Sequence, residues 1–282
     1  MTRRDFIRAG GIGAAALVLP NIVLAQGEHD LVILNGRVLD PETKLYDVRH
    51  LGIRNGRIAS ISQSELKGRK SIDAKGLVVA PGFIDIIAHG HDLENDRLQL
   101  MDGVTTKLQM EAGALEVDKW YRDQFGNRMC NYGCAASHTQ SRRKVMNEKD
   151  EPSSDAQVAE MARLVDAGLR EGGLGVGFGL EYQPAATRWE VLEMFRVAGK
   201  YGASCHVHSR YGTLLEEQSN LTALAEVLSA SLISGAPIHI VHVPSMALGS
   251  TQRALQVIEE AQAKGFDVTC DFYPYTAFGT GI

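Results

Sequence analysis

The 282-residue sequence is poor in cysteine, with four, at positions 130, 134, 205 and 270. So few thiols, spread so widely, do not form a disulfide framework, and the fold must rest on a hydrophobic core. Cys130 and Cys134 lie close enough to pair in an oxidising compartment, but two buried thiols are the reading adopted here. Positive charge is not in excess. Lys and Arg number 29 against 34 Asp and Glu, a net charge of -5. This excludes the electrostatic footprint of a nucleic-acid binder and argues against a basic membrane-surface patch. The apolar run from Gly10 to Leu24 is shorter than the roughly 20 residues that span a bilayer, so no membrane anchor is expected. What is present fits an ordinary globular chain, 44% hydrophobic and 22% charged, long enough for one large domain or a large and a small one. Its 29 glycines suit a fold with many tight turns beside a ligand.

The N-terminus reads as an address. Arg3-Arg4 precede Phe6-Ile7, the apolar run follows, and Val23-Leu24-Ala25 offers a cleavage site. The paired arginines resemble a bacterial twin-arginine export signal. Residues 1–25 are therefore set aside, and a periplasmic or secreted protein is expected.

The mature chain changes rhythm once. From Asp30 to Val79 short apolar runs alternate with turn pairs such as Asn35-Gly36, Asp40-Pro41 and Asn55-Gly56, which predicts a small β-sandwich-like unit over 26–80. After Pro81-Gly82 the order becomes apolar strand, polar loop, amphipathic helix. Strands are expected at 83–87, 103–110, 130–136, 174–178, 203–208, 238–243 and 266–271, and helices at 155–170, 188–201, 221–235 and 250–264. This alternation indicates an α/β fold with a parallel sheet covered by helices. Seven such strands, one fewer than a closed barrel needs, make 81–282 an incomplete (β/α)8 TIM-type barrel, strands 1–7, behind the small N-terminal β unit.

In such a barrel, chemistry sits at the C-terminal ends of the strands. His89 and His91 follow the first strand, Glu111 ends the second and His138 follows the third. His206 and His208 end the fifth, and His242 ends the sixth. A lone histidine in an apolar strand is usually structural, but several strands each ending in His or Glu match what an open zinc site needs. His206 shares the strand parity of His208, so both can face the barrel axis. His239 has the opposite parity to His242 and is expected in the layer between sheet and helices. His138 is expected to support the site.

The motifs, taken together, resemble a known family. Val79-Ala-Pro-Gly-Phe-Ile-Asp85, His89 and Asp102-Gly-Val-Thr-Thr106 resemble the opening of the amidohydrolase superfamily. Gly172 to Tyr182 with Pro184, His208-Ser-Arg210-Tyr211, His242-Val-Pro-Ser245 and Asp271-Phe-Tyr273-Pro-Tyr275 resemble the fourth to seventh strand motifs of its N-acyl-D-amino-acid deacylase branch. The stretch after His91, Trp120-Tyr121 and Asn131-Tyr132-Gly133 lean toward its N-acyl-D-glutamate deacylase-like members. The resemblance runs from about residue 30 to the end. It implies one or two zinc ions and zinc-bound hydroxide attacking the amide of a small N-acylated D-amino acid. His208 and His242 are the most secure implied ligands, with Glu111 near the second-strand ligand position and His89 beside it; His91 and His206 rank after them. Tyr182 resembles the tyrosine near the scissile carbonyl, a donor to the developing oxyanion. Arg142, Arg143 and Arg210 are candidates for the substrate carboxylate, which a planar guanidinium matches, with Arg210 and Arg142 put forward.

Two departures matter. The family's Asp-x-His-x-His leaves Ile87 where its first histidine is expected, and His91 comes two residues late. The chain also ends at Ile282, after the seventh-strand motif and before the eighth-strand aspartate that moves the proton. Open barrel edges would then favour self-association. The alternatives are a protein that binds metal without turnover, or a hydantoinase- or dihydroorotase-like amidase. The latter use a carboxylated lysine, and no lysine here lies in a comparable motif.

Overall fold

The computed structural model describes residues 29–212, 219–273 and 277. The export signal expected over 1–25 lies outside the described residues. The chain divides at Pro81/Gly82 into two compact units.

The first unit is one five-stranded sheet. Strands β1 (Leu31–Asp40), β2 (Leu45–Arg54) and β3 (Arg57–Ser62) form an antiparallel meander. Short β4 (Ser71–Asp73) and β5 (Val78–Val79) both pair in parallel with β1. Val32, Val38, Leu51 and Ala74 are its buried apolar residues. A second layer, as a sandwich requires, is not found among the described residues. Asn55 and Gly56 form the expected hairpin turn, both at positive φ. Asn35-Gly36, read as a turn, instead lies inside β1 at a break in its register with β2. Asn35 sits there at φ 60° and its side-chain amide donates to Asp73 Oδ1 at 2.9 Å. The pair supplies a β-bulge, another use of the same positive-φ tolerance. A Cβ at Gly36 would lie 2.5 Å from Val79 Cγ2, so glycine is needed for close packing.

The second unit carries seven parallel strands in sequence order: β6 (Phe83–Asp85), β7 (Val104–Ala114), β8 (Asn131–Ser137), β9 (Gly175–Gly179), β10 (Ser204–His208), β11 (Ile238–Ile240) and β12 (Val268–Cys270). The sheet is a curled, incomplete TIM-type barrel. Helices α1 (Leu93–Met101), α2 (Val117–Gln124), α3 (His138–Met146), α4 (Asp155–Arg170), α5 (Arg188–Tyr201), α6 (Asn220–Ser234), α7 (Val243–Ala247) and α8 (Thr251–Ala263) connect the strands. Several of their ends are capped. Ser154 and Gln157 form a capping box at α4, Thr187 caps α5, and Gly202 and Gly235 end α5 and α6 in the left-handed region.

Strand register separates the two faces of the sheet. Val176, Cys205, Ile238 and Val268 stand side by side, and Phe178, Val207 and Ile240 form the next row. All seven are buried in the core with Val158, Met161, Val165 and Leu169 of α4 and Met194 and Phe195 of α5. The alternate row, Gly177, His206, His239 and Thr269, must face the barrel interior. His239 therefore faces inward, contrary to the parity reading. That reading assumed a strand continuing to 243, but β11 stops at Ile240 and His242 turns into the left-handed region at φ 34°. The first strand is also less buried than expected. Among the described residues β6 has one sheet neighbour, and it leaves Phe83 and Ile84 exposed. The four cysteines are free thiols, three of them buried.

Glycines at 173, 175, 177 and 179 alternate with the apolar residues of β9. At Gly177 a Cβ would lie 2.1 Å from the Glu111 carbonyl oxygen, so only glycine lets the β7 backbone approach there. This clearance places Glu111 inside the curl of the sheet.

Candidate metal centre

Glu111, His208 and His242 come from three strand ends far apart in sequence. Glu111 lies in the last part of β7, His208 ends β10, and His242 follows β11 by two residues. The unusual backbone at His242 is held by Asp271, whose carboxylate accepts the His242 N–H, while the other Asp271 oxygen meets His239 Nε2 at 3.1 Å. Ligand atoms of Glu111, His208 and His242 all fall within 4.8 Å of one another. Glu111 Oε1 is 3.2 Å from His208 Nδ1, which is 2.8 Å from His242 Nε2. Donors around a tetrahedral zinc with bonds of about 2.0–2.2 Å stand roughly 3.3 Å apart, close to the two separations on either side of His208 Nδ1.

Protonation favours that use at Glu111 and His242, whereas at His208 burial is outweighed by the Glu111 and Glu181 carboxylates, which hold its imidazole above its ordinary value. Burial works to raise the Glu111 carboxyl, but hydrogen bonds from His208 and His89 bring it down to about 2. Burial, then the neighbouring His208, push His242 below its ordinary value. Near neutral pH Glu111 is ionised and His242 neutral, the states in which each donates a lone pair to a cation. The cavity above them has a volume of about 890 Å³. Ile87, Arg143, Glu181 and Tyr182 also line it.

The other candidates separate by position. His89 is largely exposed and reaches the far oxygen of Glu111, with Nε2 3.4 Å from Oε2. His91 turns away: Nε2 bonds the Ala88 carbonyl at 3.0 Å, Arg128 donates to Nδ1 at 2.8 Å, and the ring packs against Trp120. His206 faces the interior but pairs with Ser204 Oγ at 3.0 Å, and burial presses its imidazole down to about 3. The ring of Tyr182 lies 4.8 Å from that of His208.

Both arginines put forward for substrate are committed elsewhere. Arg142 is fully buried, donating to Glu190 Oε2 and to the Glu151 carbonyl at 2.6 Å each. The same Glu190 meets His138 Nε2 at 2.6 Å, so His138 belongs to that buried pair and not to the centre. Arg210 is buried against Glu226 through two hydrogen bonds, 2.8 and 3.0 Å, and donates to the Pro184 carbonyl. Strand-end position could not distinguish a free guanidinium from one neutralised by a distant helix residue. Arg143, the alternate, is the one Lys or Arg among the described residues that line the cavity.

Two participants were missed from sequence. Glu181 Oε2 lies 2.7 Å from His208 Nε2. Asp271, noted only as part of a motif, shapes His242. The signal for Glu181 was its place beside Tyr182, just past the glycine alternation that clears the inner face.

The sequence is 29% identical over 290 residues to a D-aminoacylase of Alcaligenes xylosoxydans xylosoxydans, taking in 89% of this chain and 58% of that protein. It is 28% identical over 300 residues to the N-acyl-D-glutamate deacylase of the same organism, 90% of this chain and 59% of that one. The crystal structure of N-acyl-D-glutamate deacylase from Bordetella bronchiseptica, complexed with zinc and a phosphonate mimic of the reaction's tetrahedral intermediate, matches with a TM-score of 0.76 at 27% identity, over 88% of this chain and 59% of its own. No protein-family model matches. The chain thus spans somewhat under three-fifths of the length of these relatives, and the likeness read from its strand-end motifs is a likeness to them.

Proposed function

We propose that this chain, with its likeness to the D-aminoacylase branch of the amidohydrolases, belongs to a zinc-dependent hydrolase that removes the acyl group from N-acyl-D-amino acids. The convergence of Glu111, His208 and His242 at the floor of an open cavity carries this reading. These three would hold the ion, with His89 bordering the second oxygen of Glu111. When bound, the ion supplies Lewis acidity for the amide carbonyl and lowers the pKa of a water.

The chain's own residues do the rest. The Tyr182 phenol borders the cavity beside His208, where it can donate to an oxyanion forming on the amide. Arg143, at the rim, offers a planar cation to a substrate carboxylate. No lysine lines the cavity among the described residues, which weighs against the carboxylated-lysine amidases. Ile87 favours a second reading, metal binding with impaired turnover, because an apolar side chain lines the wall where the family carries a histidine.

The test is zinc content and hydrolysis together. His208→Ala and His242→Ala should each weaken zinc binding by more than the roughly 100-fold that loss of a supporting partner costs. Full zinc occupancy in both variants would reject the site. Wild-type protein that binds zinc but releases no acetate from N-acetyl-D-glutamate would favour the second reading.

A further inference from the structure

We infer that Glu181 is a positioning residue that sets the tautomer of His208 and so prepares its Nδ1 to bind a cation. The inference rests on the zinc reading of the site. A neutral imidazole carries one proton, on either nitrogen. His208 lies between two carboxylates that compete for it: Glu111 Oε1 at 3.2 Å from Nδ1 and Glu181 Oε2 at 2.7 Å from Nε2. If the proton sits on Nδ1, it points at Glu111 and His242 and occupies the space the ion needs. If it sits on Nε2, Nδ1 presents a lone pair beside His242 Nε2, 2.8 Å away. An ionised carboxylate only accepts, so the shorter contact to Glu181 draws the proton to Nε2.

Local structure holds Glu181 in place. It is the middle residue of a single 3-10 turn, Leu180–Tyr182, directly after β9. Leu180 before it is fully buried, and the Gly179 N–H donates to Thr139 Oγ1 at 3.1 Å. Tyr182 after it lies against the His208 ring, whose other close ring neighbour is His242 at 4.7 Å. One turn therefore supplies both the acceptor that fixes the proton and a ring that restricts rotation. Metal-ligating histidines commonly donate their distal N–H to a carboxylate, and losing that partner typically costs 10–100-fold in metal affinity.

The experiment has two readouts on the full chain. Zinc titration should show a 10–100-fold weaker Kd in Glu181→Ala. Glu181→Gln, whose side-chain oxygen accepts the same N–H, should stay within about threefold of wild type, well inside that loss. An unchanged Kd in Glu181→Ala overturns the inference. On zinc-free protein, at an alkaline pH where imidazoles are neutral, long-range ¹⁵N–¹H correlation should find His208 protonated on Nε2 in wild type and on a mixture of both nitrogens in Glu181→Ala. Wild-type His208 protonated on Nδ1 overturns it as well. Wild-type protein that fails to bind zinc would count against the zinc reading alone, because the tautomer spectrum decides the role of Glu181 without the metal.

Discussion

Two buried polar clusters in the barrel unit use similar side chains to opposite ends. In the first, the Asp96 carboxylate of α1 receives Arg128 Nη2 at 2.5 Å, Arg128 Nε at 2.8 Å, the Met129 N–H at 2.9 Å and Lys107 Nζ at 3.1 Å. Lys107 also donates to the Gly90 carbonyl at 2.8 Å. All three charged side chains are at most 2% exposed, and every contact pairs a donor with an acceptor. In the second, Glu111 Oε1, His208 Nδ1 and His242 Nε2, each able to serve as an acceptor, meet beside a cavity. The first cluster is closed. The second is complete only when a proton or a cation sits among its acceptors. A buried polar cluster thus announces binding through unmatched acceptors and not through the number of charges it holds.

The difference can be broken from either side. Asp96→Ala should have the largest effect on stability. It leaves Lys107 and Arg128 buried without their carboxylate, a loss of about 3–5 kcal/mol by chemical denaturation. A loss below about 1 kcal/mol, the scale of an exposed pair, would mean that solvent reaches the cluster. The same cluster anchors the loop between His89 and His91 through Gly90 and shares β7 with Glu111, whereas His208 and His242 sit on other elements. Zinc stoichiometry should therefore survive the substitution wherever the protein remains folded.

Arg143→Ala probes the open site. A charge-assisted hydrogen bond to a substrate carboxylate is worth about 1.5–3 kcal/mol, and rim exposure brings the expected effect to the low end, about tenfold in KM. The matching N-acyl amino-acid amide, which lacks the carboxylate, should show no such rise. Equal effects on both substrates would remove Arg143 from carboxylate recognition.

His206 tests the interior between the two extremes. Burial holds it neutral down to about 3, from an ordinary value of 6.5. In this window the unfolded chain binds a proton that the folded one does not, so stability rises with pH and is lost as pH falls below about 6.5. The slope is at most about 1.4 kcal/mol per pH unit. His206→Gln should flatten the stability profile between pH 6 and 4 by about that amount. Parallel profiles for the two proteins would show that His206 is hydrated and titrates normally.

Much of this was legible beforehand because periodicity is local. The β9 alternation of glycine with Leu174, Val176 and Phe178 and the heptad-like spacing of Val158, Met161, Val165 and Leu169 each depend on a few neighbouring residues. Strand ends follow from such patterns, and histidines at strand ends follow from the strands. Where the reading failed, a contact distant in sequence decided. Asn35-Gly36 had the chemistry of a turn, but β2 continued past it and made it a bulge. His239 took its direction from its register in β11, which ends at Ile240, and parity counted from His242 could not supply that. Arg142 and Arg210 were neutralised by Glu190 and Glu226, each on a helix that the motif does not contain.

The sequence by itself determined the strand order of the barrel unit and four of its helices, the small β unit before it and the set of residues from which a metal centre could be drawn. These depend on side-chain period and turn chemistry, which act over a few residues. The tertiary structure alone decided which of those residues meet. Glu111, His208 and His242 converge because Gly177 lets the β7 backbone pass close and because Asp271 holds His242 in a left-handed turn. Glu181 joins them because the chain turns at once after β9. Convergence of groups about 30 to 130 positions apart is a property of how strands curl against one another, and local pattern carries no measure of it.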